Sequence, residues 1–350
     1  MLEVTGFNGK PNPYSSPIYL GNSGTSMRLL AGIAALGNSP YTLTGDTRMC
    51  QRPMNELLDA LKRLNISAFS QNPEGTPPVT IEGGPRLGGK TLIDCSKSSQ
   101  YLSALLMAGA LFDQGLVIDL TGPPVSVPYI NLTLDVMNQF KVTASRISET
   151  SYHVPGNQVY EPGSYVVEPD LSNAGYFWAM GAITGKEIGV ANIKQDSLQG
   201  DLNQVRILEQ MGCRVNIKDQ VISVKGNDLR GVDVDMSDTP DAVPAIAVVA
   251  AFAGGTTRIR NIAHLRVKEC DRIDAMATQL TKMGIEVNQG PDSMEIIGGT
   301  PKGASIETFN DHRIAMSFSV AGFRVQGMEI ENPSCVQKSF PTYWQIYDSL

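Results

Sequence analysis

An α/β protein assembled from one repeated unit is predicted by three observations. Five segments carry a small polar cluster running into a helix rich in Ala, Leu and Met. They begin at Gly21, Ser98, Ser172, Asp241 and Asn310, spaced 77, 74, 69 and 69 residues apart. Between them lies a second series of helical patterns at the same period, and short β-rich stretches follow each of its first four members. Two interleaved series that keep one period indicate a repeated supersecondary unit.

The first series is apolar on nearly every face, so its helices are expected to be buried. GNSGTSMRLLAGIAAL opens it, followed by SSQYLSALLMAGAL, SNAGYFWAMGAI, DAVPAIAVVAAFAGG and NDHRIAMSFSVAGF. The second series starts at Arg52, Tyr129, Gly200 and Cys270, with a terminal member at Phe340. Its apolar residues recur at i, i+3, i+4 and i+7, the mark of amphipathic helices. Strand signals such as VISVKG from Val221 and MEIIGG from Met294 close the units. LEVTG at residues 2–6 also reads as a closing strand. A composition shift between Pro162 and Pro169 divides the chain into domains 1–168, with about two units, and 169–350, with three.

With 350 residues, two domains is the prior. The net charge of −7, without a Lys/Arg-rich run, argues against nucleic acid and anionic membrane as partners. Five cysteines, odd in number and without a C-x-x-C pair, argue against a disulfide framework and structural zinc, and fit reduced thiols in a cytoplasm. No signal-peptide pattern or membrane-spanning run is read. P-loop, H-E-x-x-H and G-x-S-x-G motifs are absent from the sequence.

The chemical signal lies at the starts of the buried helices. Asn22, Gly24 and their neighbours lead into a helix that Thr25 or Ser26 is expected to cap, with Arg28 in its first turn. Asp311 is expected to cap the helix that carries His312 and Arg313. A cation in a first turn opposes the helix dipole, by about 0.3–1 kcal/mol, unless an anion sits at the mouth or a carboxylate neutralises it. Ser98, Ser99 and Gln100 occupy the same phase; taken alone they read as capping residues. Asp241 reads either as an N-cap or as a general base. Arg48 lies in a loop from which it can reach a ligand, whereas Arg52 reads as structural. Lys268, Glu269 and Arg272 lie in a mixed charged run.

LGNSGTSMR, GDTRMCQRP, SSQYLSALLMAGAL, RVKECDRIDAMA, FNDHRIAMSFS and CVQKSFPTYW, in that order, resemble the 5-enolpyruvylshikimate-3-phosphate synthase family. The resemblance implies a two-domain enolpyruvyl transferase fold of repeated βαβαββ units, six in the family and about five here, closing over a cleft. It implies transfer of the enolpyruvyl group of phosphoenolpyruvate to the 5-hydroxyl of shikimate 3-phosphate, with no metal or other cofactor, in a cytoplasmic monomer. Ser98, Ser99, Gln100, Ser126, Tyr129, Asp241, His264 and Lys268 match positions that hold shikimate 3-phosphate. Asn22, Gly24, Arg28, Arg48, Gln100, Arg272, Arg313 and Lys338 match the phosphoenolpyruvate site. Asp241, Glu269, Lys268 and His312 match the catalytic positions. Four cations are thereby expected around the enol phosphate. Glyphosate inhibition is expected because Gly24 is kept.

The chain departs from the pattern at His264, where many members have Asn, and at Leu29, where many have Pro. The opening Lys-Ser-Arg motif of the family is not found, so one unit of the first domain is expected to be lacking, and a truncated or complementation-dependent fragment is the alternative. UDP-N-acetylglucosamine enolpyruvyl transferase is a second alternative; its reactive Cys would fall at Thr47, three residues from Cys50.

Overall fold

A computed structural model describes residues 2–350. The chain divides into two compact units, one ending at Tyr165 and the other running Val166–Leu350. In the first unit the elements are β1 (Ile18–Tyr19), α1 (Gly24–Ala34), β2 (Tyr41–Thr44), α2 (Asn55–Arg63), β3 (Ser67–Ser70) and β4 (Val79–Gly83). They are followed by β5 (Gly89–Ile93), α3 (Gln100–Gly109), β6 (Leu116–Leu120), α4 (Val127–Gln139), β7 (Ser145–Ser148) and β8 (Ser151–Val154). Each half makes a four-stranded sheet of one pattern, β1-β2-β4-β3 and β5-β6-β8-β7. In both, the first pair is parallel, joined through the buried helix, and the remaining pairs are antiparallel.

The second unit holds three further repeats, of which the middle one makes the full four-stranded sheet. Its first repeat holds α5 (Leu171–Thr184), β9 (Ile188–Val190), α6 (Asn203–Gln210), β10 (Arg214–Lys218) and β11 (Val221–Lys225), with strands in the order β10-β11-β9. Next come β12 (Asp233–Asp235), α7 (Val243–Ala251), β13 (Thr256–Arg260), α8 (Arg272–Lys282), β14 (Glu286–Gln289) and β15 (Met294–Ile297), ordered β12-β13-β15-β14. The last repeat contains β16 (Ser305–Ile306), α9 (His312–Val320), β17 (Glu329–Ile330) and α10 (Tyr343–Tyr347), with β16 and β17 parallel.

Composition decides which helices are interior. Every residue of α7 and of α9 is buried; α7 has no polar face to meet water, whereas α9 buries His312, Arg313, Ser317 and Ser319 as well. In α5, Trp178 is fully buried and its indole N–H donates to the Ile222 carbonyl at 2.9 Å, which ties the helix to β11. Helix α5 starts on Asp170, whose side chain accepts from the Asn173 N–H, and stops at Gly185 in the left-handed region. In the first unit α1 and α3 pack so closely that a Cβ on Gly32 would lie 2.6 Å from the Ala104 carbonyl oxygen. Only glycine permits that approach. The amphipathic helices α2, α6 and α8 bury one side. Helix α4 buries only Ile130 and Met137, less than its pattern suggests.

Three local expectations are corrected. Residues 2–6 form no strand, and Leu2 and Val4 are exposed; a single run of alternating residues had no neighbouring strand to fix it. Helix α1 is capped by Ser23, whose Oγ accepts from the Ser26 N–H, and not by Thr25 or Ser26. Starting the helix at Gly24 puts Arg28 at its fifth position, just past the first turn.

Candidate functional site

Two polar clusters form at the helix starts, one in each unit. In the first unit the polar turn ahead of α1 is held from two sides. Arg52 donates from Nη1 to Asn22 Oδ1 at 3.1 Å and to the Asn22 carbonyl at 3.3 Å. Arg28 donates from Nη1 to Gln100 Oε1 at 2.9 Å, and Gln100 Nε2 donates to Thr25 Oγ1 at 2.8 Å. Both guanidinium groups are buried, and the Arg28 guanidinium lies 5.2 Å from the centre of the Tyr101 ring, in cation–π range. Arg28 Nε is buried without a hydrogen-bond partner. Burial pushes the Tyr101 hydroxyl up to about 12, and it donates to the Pro53 carbonyl at 2.6 Å.

Gly24 is the pivot. A Cβ there would lie 2.5 Å from Arg52 Nη2 and 2.8 Å from Arg28 Nη1. The residue that closes on Gly24 with Arg28 is therefore Arg52, which the sequence reading assigned to structure. Arg48 stands before the short 3-10 turn Met49–Gln51 and donates to Gln51 Oε1 at 3.4 Å. The signal that could have found Arg52 was its place beside Pro53, where backbone geometry is fixed. Gly24→Ala is expected to push both guanidinium groups aside and raise the KM for the anionic substrate roughly 10- to 100-fold, with little loss of stability. Steady-state kinetics with a melting curve check this; an unchanged KM would remove Gly24 from the site.

Ser98, Ser99 and Ser126 are all buried. Ser98 Oγ accepts from the Gln100 N–H at 3.3 Å, while Ser99 and Ser126 make no side-chain cap bond to α3 and α4. Ser126 adopts the left-handed region (φ 55°), unusual for serine. The loops carrying them are joined by the Val125 N–H to the Cys95 carbonyl (3.2 Å), and α3 meets α4 through Ser103 and Thr133 hydroxyls 2.8 Å apart. Tyr129 lies in the first turn of α4, and its N–H donates to the Ser126 carbonyl at 3.1 Å.

The second unit gathers Asp241, Lys268, Glu269, Arg272, Asp311, Arg313 and Lys338. Arg272 opens α8, which Asp271 caps by accepting from the Asp274 N–H. Its guanidinium donates to three carboxylates: Asp311 Oδ2 at 2.8 Å, Asp241 Oδ1 at 2.7 Å and Glu269 Oε2 at 3.0 Å. Asp311 is fully buried and also caps α9, accepting from the Arg313 N–H at 2.9 Å, as the sequence indicated. Arg313 Nη2 lies 2.9 Å from Asp241 Oδ2, and its Nη1 donates to the Tyr176 hydroxyl at 3.3 Å. Lys338 Nζ lies 2.7 Å from Glu269 Oε1. Asp241 does not cap α7; its oxygens are taken by the two arginines, and the N-cap position falls on Ala242 without a side-chain bond.

Burial opposes the charge of Asp241, but Arg313, Arg272 and Lys268 outweigh it and hold the carboxyl well below the usual range. The same balance, with Arg272 the main cation, keeps Asp311 ionised. Burial, reinforced by Lys268, brings His264 down to about 3. Burial and Arg313 bring His312 down to about 4. Both imidazoles are therefore neutral near pH 7. Nε2 of His264 and Nδ1 of His312 are buried without a hydrogen-bond partner. Among the described residues no group of three or more His, Cys, Asp or Glu side chains is arranged to hold a metal ion. Among the described residues no helix is long and apolar enough to cross a membrane.

Helix mouths lined with guanidinium groups, hydroxyls and ionised carboxylates have the chemistry to bind an anion and to move protons. Solved structures give the class. An EPSP synthase from Acinetobacter baumannii aligns with a TM-score of 0.75 and 30% identity, covering 96% of this chain and 79% of that one. The enolpyruvyl transferase NikO from Streptomyces tendae aligns with a TM-score of 0.73 at 18% identity, covering 93% and 76%, and supports the fold alone. The fold is that of the enolpyruvyl transferases. Residues 1–347 match the family model of EPSP synthase (3-phosphoshikimate 1-carboxyvinyltransferase). A 3-phosphoshikimate 1-carboxyvinyltransferase from Syntrophobacter fumaroxidans is 43% identical over 340 residues, 96% of this chain and 80% of its own length. One from Methanococcus aeolicus is 40% identical over 355 residues, 99% and 82%. The chain belongs to the EPSP synthase family.

Proposed function

We propose that this chain transfers the enolpyruvyl group of phosphoenolpyruvate to the 5-hydroxyl of shikimate 3-phosphate, releasing phosphate. The observation that carries the reading is the alternation Arg313–Asp241–Arg272–Glu269–Lys338, with adjacent charges 2.7–3.0 Å apart. The reaction needs cations for a leaving phosphate and carboxylates for proton transfer, and this cluster supplies both. Asp241 accepts the proton of the attacking hydroxyl. Glu269 gives a proton to the enolpyruvyl carbon and takes one back as the double bond reforms. Arg272, Arg313 and Lys338 take up the phosphate charge. In the first unit, Arg28 and Arg52 flank Gly24 and can hold an anion, with Asn22 and Gln100 orienting them. Arg48 is assigned by resemblance alone. Ser98, Ser99, Ser126 and Tyr129 in the first unit, and Lys268 and His264 in the second, are assigned to shikimate 3-phosphate by resemblance alone. His312, neutral at pH 7, can accept or donate a hydrogen bond to the reacting groups.

The test is phosphate release from the two substrates by wild type and Arg313→Ala. A loss of about 100-fold or more in kcat/KM with a small change in melting temperature is expected. Turnover intact in a destabilised variant would reduce Arg313 to a packing role.

A further inference from the structure

Arg272, Arg313 and Lys338, the second-unit cations that the resemblance assigns to the enol phosphate, already have carboxylate partners. They are paired with Asp241, Glu269 and Asp311, and Lys268, whose charge acts on Asp241, is the fourth cation against these three carboxylates. Both oxygens of Asp241 accept from guanidinium groups, at 2.7 and 2.9 Å. Both oxygens of Glu269 face cations, at 3.0 Å to Arg272 and 2.7 Å to Lys338. The groups proposed to move protons are thus the ones that occupy the phosphate's cations.

We infer that Asp241 and Glu269 are internal stand-ins for the substrate phosphate, displaced from Arg313, Arg272 and Lys338 when the anion binds, so that anion binding is what frees both carboxylates for proton transfer. This rests on the function proposed above. The third carboxylate sets the direction of exchange. Asp311 is fully buried and bonded to Arg272 through Nε and Nη2, at 2.8 and 3.3 Å. It keeps that guanidinium paired and in place when the other two leave. Asp241 and Glu269 retain 22% and 12% side-chain exposure, Arg313 and Lys338 11% and 32%. The exchangeable partners are therefore the ones an anion can reach. A dianion entering the cluster with every carboxylate still seated would be repelled by the carboxylates on the cations it seeks; moving two of them off relieves it. Released from guanidinium contact, a partly buried carboxylate regains proton affinity. Lys268, whose charge also acts on Asp241, stays on the opposite side of this balance and tempers that gain.

The experiment uses inorganic phosphate as the probe, binding measured by calorimetry at pH 7 and constant ionic strength. Asp241→Asn and Glu269→Gln keep shape but remove the competing charge. Each is expected to bind phosphate about ten-fold tighter than wild type. The double variant Asp241→Asn/Arg313→Ala is expected to lose that gain. If Asp241→Asn fails to fold, Glu269→Gln answers the question from the other carboxylate. Phosphate binding equal to or weaker than wild type in the carboxylate variants, with binding lost in Arg313→Ala, overturns this inference and leaves the anion site standing. Phosphate binding unchanged in Arg313→Ala overturns both.

Discussion

Replacing Arg272 with Leu is expected to destabilise the unit Val166–Leu350 by about 3–5 kcal/mol, the cost of breaking a buried ion pair from one side. Three carboxylates share this one guanidinium, and Asp311 has no solvent to turn to. Urea unfolding at pH 7 measures the loss, and a change below about 1 kcal/mol would mean that the cluster contributes nothing net. The pH dependence separates this cause from lost packing. In wild type, Asp311 and Asp241 titrate below their unfolded value near 3.9. Their contribution is complete above that value and is lost as pH falls through the folded values. Without Arg272, burial governs Asp311 and raises its folded value. That carboxyl then favours the folded state only below the unfolded value, and stability is lost as pH rises through the raised one. The deficit of the variant is therefore expected to shrink as pH is lowered from 7 towards 4, whereas a pure cavity effect would leave it constant.

Asp241→Asn is expected to lower kcat about 100- to 10,000-fold, the usual range for removing a general base. The amide keeps the shape and one acceptor for the arginines but cannot take the hydroxyl proton. Binding of phosphoenolpyruvate is expected to hold or improve, because a negative charge has left the cations. Low kcat without a rise in KM assigns Asp241 to the transition state. Equal losses in binding and turnover would make it a positioning residue for Arg272 and Arg313.

The periodic features were legible because burial follows composition. Helices such as VPAIAVVAA have no polar face to expose, so their interior position was readable from residues alone. Asp311 was legible as a cap because side-chain-to-backbone bonding is local. The errors arose where the outcome depended on distant partners. Whether Asp241 caps α7 or meets Arg272 and Arg313 depends on residues 31 and 72 positions away. Arg52 and Arg28 both reach Gly24, a convergence made by α1, α3 and the turn before α2 together. Likewise the run holding Lys268, Glu269 and Arg272 reads only as mixed charge until Asp311 is brought against Arg272.

The interior trio α5, α7 and α9 bears on how the second unit comes to fold. These helices bury nearly all of their own surface, so none can be comfortable in water by itself, and their mutual partners lie about 70 and 140 residues apart along the chain. Contacts of such sequence separation close large loops before they return any stabilisation, which slows folding. The last piece arrives last: Tyr343 is fully buried, hydrogen-bonded to Ser319 on α9 and edge-on to Tyr176 on α5. During synthesis, α5 and α7 are complete long before the residues that seal them emerge. An emerging chain of this kind spends its time with apolar helices exposed, and it is in that interval, not in the finished protein, that a chaperone would find its substrate.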